Sequence, residues 1–143
     1  EGITIAYASV YGHLKAAVEE LAAALEARGQ KVSVFDLARD DMAEAVEDAF
    51  RYDRLVLASI TYQGEIFPFM STFIHTLAEH AYQNRTVALV EAGSWAPTAA
   101  KVMTKELEGM KDITLAQNKV TVLGSLNDAS RAQIETLADE LSK

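Results

Sequence analysis

The sequence contains no cysteine. Disulfides, Cys-ligated zinc, iron–sulfur clusters and thiol catalysis are thereby excluded within this chain. Basic residues are scarce as well: 13 Lys and Arg face 21 Asp and Glu, for a net charge of −8. Nucleic acid and anionic membranes bind through Lys/Arg patches that release counterions, so neither is expected as a partner, and a basic protein surface suits the chain better. No apolar run approaches the roughly 20 residues needed to cross a bilayer. A basic region followed by an apolar core is also missing, so no targeting segment is visible, and the expected location is the cytoplasm. The chain has only two prolines, Pro68 and Pro97, and each stands where a loop gives way to a helical pattern.

What is present is regular. A chain of 143 residues suits one domain spanning residues 1–143, long enough to bury roughly two-thirds of its unfolded surface. Glu1-Gly2 leaves no lead-in to the first strand, which suggests a piece cut from a longer chain. The apolar run from Ile3 to Ala8 reads as a strand. Leu14, Val18, Leu21 and Leu25 then recur at helical spacing over residues 13–28, and Gly29 ends that helix. Residues 31–36, rich in Val32, Val34 and Phe35, read as a second strand. Asp41-Met42-Ala43-Glu44 has capping-box character ahead of a helix to about Arg51, with Ala45, Val46, Ala49 and Phe50 on its apolar side.

The almost continuously apolar residues 54–60 predict a central strand covered on both faces, followed by a polar loop, 61–65. Pro68 suits the first turn of a helix expected to run to Tyr82. A fourth strand spans residues 86–91 and breaks at Gly93; a loop and a helix reaching about Met110 follow. Residues 112–116 read as a short strand or an irregular run, and residues 120–123 as the fifth strand. Asn127 caps a last helix that carries Ile134, Leu137, Ala138 and Leu141 on one face. Strands alternating with helices imply a doubly wound parallel sheet with right-handed crossovers. In such sheets ligands bind beyond the carboxyl ends of the strands, where three loops converge: 9–14, 61–65 and 93–97.

The first loop joins a strand to a helix N-terminus, whose free N–H groups and positive dipole end suit a phosphate. Ser9 offers a hydroxyl and Gly12 a glycine. Neither G-x-G-x-x-G nor G-x-x-x-x-G-K-[ST] is present, which argues against dinucleotides and nucleoside triphosphates and leaves a monophosphate. The other loops bring Tyr62 and Trp95, flat side chains able to pack on an aromatic ring, with Gly64 and Gly93 allowing close backbone approach. A phosphate together with a flat heterocycle describes a mononucleotide.

These residues resemble the flavodoxins and, more closely, the flavodoxin-like domain of flavodiiron proteins, also called A-type flavoproteins. Ser9-Val10-Tyr11-Gly12-His13 is similar to their phosphate loop, Ser59-Ile60-Thr61-Tyr62-Gln63-Gly64 followed by Pro68 to their second loop, and Gly93-Ser94-Trp95-Ala96-Pro97 to a version of their third. The resemblance implies a flavodoxin-like five-stranded parallel sheet, order 2-1-3-4-5, binding FMN. By it, Ser9, Val10, Tyr11, Gly12, His13 and Leu14 form the phosphate loop, gripping mostly through backbone N–H groups. Thr61, Tyr62, Gln63 and Gly64 flank one side of the isoalloxazine, and Gly93, Ser94 and Trp95 the other.

The resemblance further implies electron transfer within a parent oxidoreductase that reduces oxygen or nitric oxide. This domain would be excised from the C-terminal part of that parent. The iron-binding domain of the parent chain and a redox partner protein, rubredoxin-like or a flavin reductase, are the implied partners. One position departs from the family: Leu14 stands where a Thr usually places its hydroxyl on the phosphate. A lost hydrogen bond to a charged group is worth about 1.5–3 kcal/mol, so FMN is expected to bind roughly ten- to a hundredfold more weakly. Leu14 is also in phase with Val18, Leu21 and Leu25, which makes it a core residue at the helix start. A flavodoxin-fold interaction or structural module with weakened or lost FMN binding is therefore the alternative.

Other chemistries find little support. No Ser-His-Asp set can be assembled, and Ser9 has no evident base. His75 and His80 read as helix surface, and their spacing of five does not put them on one face for a metal. Glu19, Glu20, Glu44, Glu47 and Asp48 read as a solvated helix surface. A phosphorylated receiver domain needs carboxylates at the ends of the first and third strands, where the chain has Ala8-Ser9 and Ser59-Ile60. The overall negative charge is expected to lower the potential of a bound flavin, to an extent that exposure and salt reduce.

Overall fold

Ile3, Ile5 and Tyr7 alternate with Thr4, Ala6 and Ala8 along strand β1 (Ile3–Ala8), and every residue of it is buried. A strand with no solvent face needs cover on both sides, and the computed structural model supplies it. The structure describes residues 2–9, 12–62, 65–93 and 97–143, with Tyr62 and Glu65 through their backbone. Helix α1 (Gly12–Ala27) follows β1, then β2 (Val32–Asp36), α2 (Met42–Arg51), β3 (Arg54–Tyr62) and a two-residue β4 (Glu65–Ile66). The second half comprises α3 (Pro68–Glu79), β5 (Arg85–Gly93), α4 (Ala99–Leu107), β6 (Ile113–Leu115), β7 (Val120–Leu123) and α5 (Asp128–Leu141).

The main strands run parallel in the order β2-β1-β3-β5, and both β6 and β7 pair with β5 on its far side. The fifth strand is thus one strand in two pieces. β6 meets β5 at Arg85, Thr86 and Val87, and β7 meets it from Val90 to Gly93. Between them, the Glu140 carboxylate on α5 accepts from the Gln117 N–H at 2.8 Å and the Asn118 N–H at 2.9 Å, which fastens the interruption. With that strand counted once and the short β4 set aside, the order is the expected 2-1-3-4-5.

Each face has its own core. Ile3, Ile5, Val56, Ala58, Val90 and Ala92 meet Leu14, Val18 and Leu21 of α1 and Ile134, Leu137, Ala138 and Leu141 of α5. Opposite, Ala6, Leu55, Leu57, Val87 and Leu89 meet α2, α3 and α4 through residues such as Ala49, Phe73 and Met103. Asp41 caps α2, accepting from the Ala43 N–H at 2.9 Å, and Asn127 caps α5 in a reciprocal box with Ser130.

Four expectations are corrected here. First, residues 61–65 are not simply a loop. β3 continues through Tyr62, and β4 turns back antiparallel, pairing Thr61 with Ile66 and Tyr62 with Glu65. Second, α3 stops at Glu79 rather than Tyr82, because Ala81 takes a left-handed conformation (φ 58°). The Tyr82 N–H closes back on Leu77 O and the Ala81 N–H on Ala78 O, each at 3.1 Å. This is the same Schellman closure that α1 makes with Gly29 (φ 82°), where Gln30 N–H bonds Leu25 O at 3.1 Å and Gly29 N–H bonds Glu26 O at 3.0 Å. Third, α4 ends at Leu107, short of Met110. Fourth, Asp48 is no solvated surface residue: it is buried and holds the Arg51 guanidinium at 2.9 Å. Among the described residues no helix is long and apolar enough to cross a membrane.

Candidate functional site

The sheet brings the carboxyl ends of its inner strands together. Ala8 lies beside Ser59, Ile60 beside Ala92, and Gly93 beside Leu123. The connection after β1 leads toward one edge and that after β3 toward the other, so the strand order reverses between them, which is where parallel sheets take ligands.

Helix α1 starts at this edge. Its first turn carries no acidic side chain among the described residues, so its N–H groups have no local carboxylate competing for them. Gly12 and His13 are exposed. The backbone of Gly12 is not left-handed, and a Cβ built there meets no atom of the described residues within 4 Å. Among the described residues, neither backbone conformation nor packing requires glycine there. Leu14 points the other way: it is 1% exposed and packs in the core with Val18 and Leu21. What it offers the edge is its N–H, not its side chain. Ser9 is half-buried at the end of β1.

Beside this helix start, the Tyr7 hydroxyl donates to Asp36 Oδ2 at 3.4 Å. Burial, followed by the negative charge of Asp36, pushes the Tyr7 phenol up from 10.0 to about 12. Burial also raises the Tyr82 phenol. A raised phenol stabilises the fold fully below the unfolded value near pH 10, and the contribution is lost as pH climbs through the folded value. The protein is therefore expected to lose stability above about pH 10, at about 1.4 kcal/mol per pH unit for each such tyrosine. For Tyr7 the loss is complete near pH 12. Urea unfolding between pH 8 and 11.5 checks this, and Tyr7→Phe should flatten the decline; an identical decline in both proteins would rule Tyr7 out as a source.

On the second loop, Thr61 does something its sequence position did not reveal. Its Oγ1 accepts from the Thr98 N–H at 2.8 Å and the Ala99 N–H at 3.2 Å, tying the end of β3 to the start of α4. The next amide of α4, Ala100 N–H, bonds to Glu91 Oε1 at 2.9 Å. Glu91 is only 3% exposed, and its Oε2 accepts from Thr121 Oγ1 at 2.8 Å and lies 3.3 Å from Lys119 Nζ. Gly93 stands against Pro97, whose Cβ lies 3.1 Å from where a Gly93 Cβ would be. Ser59 is fully buried, and its Oγ accepts from the Phe67 N–H at 3.3 Å, anchoring the entry to α3.

The structure thus brings Ser9, Gly12, His13, Thr61 and Gly93 to one edge and keeps the Leu14 side chain away from it. Val10, Tyr11, Gln63, Gly64, Ser94 and Trp95 lie outside the described residues, and Tyr62 is placed by its backbone alone. A model of the flavodoxin domain matches residues 4–133. The chain belongs to the flavodoxin domain family. Comparison with curated proteins gives no match.

Solved structures share the flavodoxin fold closely. Rubredoxin oxygen:oxidoreductase from the anaerobe Desulfovibrio gigas superposes with a TM-score of 0.92 at 18% identity, over 99% of this chain and 35% of that one. A flavodoxin from the domain Archaea gives 0.86 at 17% identity, over 99% and 96%. The flavodiiron protein from Giardia intestinalis gives 0.90 at 14% identity, over 99% and 35%. The flavodoxin chain thus spans about a third of the oxidoreductase from D. gigas and nearly all of the archaeal flavodoxin.

Sequence reasoning missed Glu91 in this flavodoxin domain. Its signal was an acidic residue inside the apolar run 86–92, which was read as the strand's end. His75 and His80 are exposed; His75 Nε2 lies 3.7 Å from Glu106 Oε1, and His80 Nδ1 lies 2.9 Å from Thr76 O. Among the described residues no group of His, Asp and Glu could hold a metal ion. A groove of about 1000 Å³ runs along α4 past Lys101, Lys105 and Glu108, and among its described lining residues only Thr98 lies at the sheet edge.

Proposed function

We propose that this chain is an FMN-binding electron-transfer domain of a flavodiiron-type oxidoreductase, excised from the C-terminal part of its parent. The observation that carries the reading is the start of α1, where among the described residues nothing packs against Gly12 and no carboxylate stands in the turn. A dianionic phosphate meets N–H donors and the helix dipole there. The N–H groups of Gly12, His13 and Leu14 hold it, with Ser9, Val10 and Tyr11 completing the loop. Thr61, Tyr62, Gln63 and Gly64 then flank one side of the ring, and Gly93, Ser94 and Trp95 the other. Because the Thr61 hydroxyl oxygen is engaged with α4, this residue serves the ring through its backbone and through the spacing of the two loops.

When bound, FMN supplies the redox chemistry; the protein supplies orientation and electrostatics. The net charge of −8 opposes added electron density on the flavin and so favours a lower potential. Structural likeness to about a third of an oxygen:oxidoreductase and of a flavodiiron protein supports a parent with an additional iron-binding domain. A rubredoxin-like protein or a flavin reductase is the electron donor in this reading, and the cytoplasm its location. The burial of Leu14 favours a second reading, a module of the same fold with weakened or lost FMN binding.

One titration separates the two. Purified protein is expected to be yellow, or to quench flavin fluorescence and shift the visible spectrum when FMN is added. No binding at high micromolar FMN sinks the first reading and leaves the second.

A further inference from the structure

Glu91 is an expensive residue to bury. It sits in β5, 3% exposed, beside the buried Ser59 of β3 in a sheet whose buried positions are mostly apolar. An ionised carboxylate in such a place must be paired and hydrogen-bonded to be tolerated. Both oxygens are indeed engaged. Oε1 takes the Ala100 N–H of α4, while Oε2 takes the Thr121 hydroxyl and the Lys119 ammonium from the neighbouring strand and its lead-in. None of these contacts is needed to complete the sheet ladder. What they do is pin the first turn of α4 to β5 and to the start of β7.

That pin has a partner. Thr61 holds the Thr98 and Ala99 amides from the β3 side. At the other end of the same segment, the Gly124 N–H bonds to Gly93 O at 3.0 Å, and Gly93 packs on Pro97. The two flanks of the third loop, Gly93 on one side and Pro97 to Ala100 on the other, are thus each held by contacts from distant residues. A loop held at its two ends loses less conformational entropy when a ligand orders it, and binds correspondingly tighter.

We propose that Glu91 is a positioning residue for the flavin: through the α4 amide and the β7 contacts it fixes the first turn of α4, the flank on which the ring-side loop of the proposed FMN site ends. The inference rests on the FMN reading above and adds to it a buried residue that the loop resemblance does not include.

The test measures FMN dissociation constants by fluorescence quenching for wild type, Glu91→Ala, Glu91→Gln and a control, Leu77→Ala. Leu77 is buried in α3 and hydrogen-bonds through its carbonyl at the opposite end of the molecule from the loops, so the control loosens the fold without touching the clamp. Amide hydrogen exchange of the unliganded proteins is followed at Ala100 in parallel.

Glu91→Ala is expected to weaken FMN binding at least tenfold and to speed exchange at Ala100 by a similar factor. Glu91→Gln keeps an acceptor for Ala100 but loses the charge facing Lys119; its affinity should fall between the two, and it serves as the isosteric variant if Glu91→Ala does not fold. Leu77→Ala should melt earlier yet bind FMN within twofold of wild type. Wild type that binds FMN alongside Glu91 variants that bind equally well overturns the proposal. So does a loss of affinity in Leu77→Ala matching that in Glu91→Ala, since destabilisation alone would then account for both. Failure of wild type to bind FMN overturns the underlying reading instead, and the proposal with it.

Discussion

Replacing Leu14 by threonine is expected to lower the stability of the protein and raise its affinity for FMN. Leu14 is 1% exposed in the core between α1 and the sheet, beside Val18 and Leu21. Threonine removes buried methyl groups and brings a hydroxyl into an apolar setting, which together cost about 2–4 kcal/mol. For a chain of this size, that is a fall in Tm of roughly 6–12 °C. Although the Leu14 side chain runs into the core, the shorter threonine at this third helical position can turn its hydroxyl back toward the N-terminus, where the proposed phosphate sits. A hydrogen bond to a charged group strengthens binding by about tenfold or more. Leu14→Ala separates the terms, since it makes the cavity without the hydroxyl and should lose stability with no gain in affinity. Melting curves and FMN titrations of the three proteins decide it: an unchanged Tm would remove Leu14 from the core, and an unchanged affinity would remove position 14 from the phosphate.

The second large effect is expected from Gly12→Asp. A side chain here meets none of the described residues and finds an ordinary backbone conformation, so the fold should accept it. A carboxylate at a helix N-terminus stabilises by about 0.3–1 kcal/mol, and the Tm of the ligand-free protein should hold or rise slightly. The phosphate of FMN needs the same N–H groups. Repulsion between two anions about 4 Å apart is about 1–4 kcal/mol near a surface, so affinity should fall by tenfold to several hundredfold, and added salt should recover part of it. A variant that melts normally and still binds FMN like wild type would place the phosphate elsewhere. Sign is what makes this informative: ordinary damage lowers stability and binding together, whereas this change moves only the second.

How far the sequence could be read depended on whether the signal was local. Gly29 announces the end of α1 because glycine takes a left-handed conformation without strain, and the helix stops there. The end of α3 has the same geometry, but it is Ala81 that adopts the positive φ, so nothing in the composition marked it. The return of β4 against β3 was hidden in a polar stretch, because two residues of pairing leave no periodicity to detect. Asp48 looked like one more acidic residue on a charged helix until Arg51 and the packing of α2 buried it.

The candidate site divides along the same line. Ser9, Gly12, Thr61 and Gly93 were found because strand ends followed by helix starts are legible from a change of period, and a doubly wound sheet sends those junctions to a common edge. Glu91 was not found. Its role consists of contacts with Ala100, Thr121 and Lys119, each distant in sequence, and no local pattern encodes them.

The α/β class and the three strand-to-helix junctions at the carboxyl edge were legible in hydrophobic period, β-branched runs and turn residues, which act over a few positions; the strand order came from the resemblance of those loops to flavodoxins. The inward direction of Leu14 was legible too, from its phase with Val18, Leu21 and Leu25, but that Thr61 is spent on the start of α4 and that the buried Glu91 carboxylate holds the Ala100 amide emerged from the packing alone. Those outcomes depend on which backbone amides happen to be left unpaired when helices dock on a sheet. That is settled by the packing of distant segments.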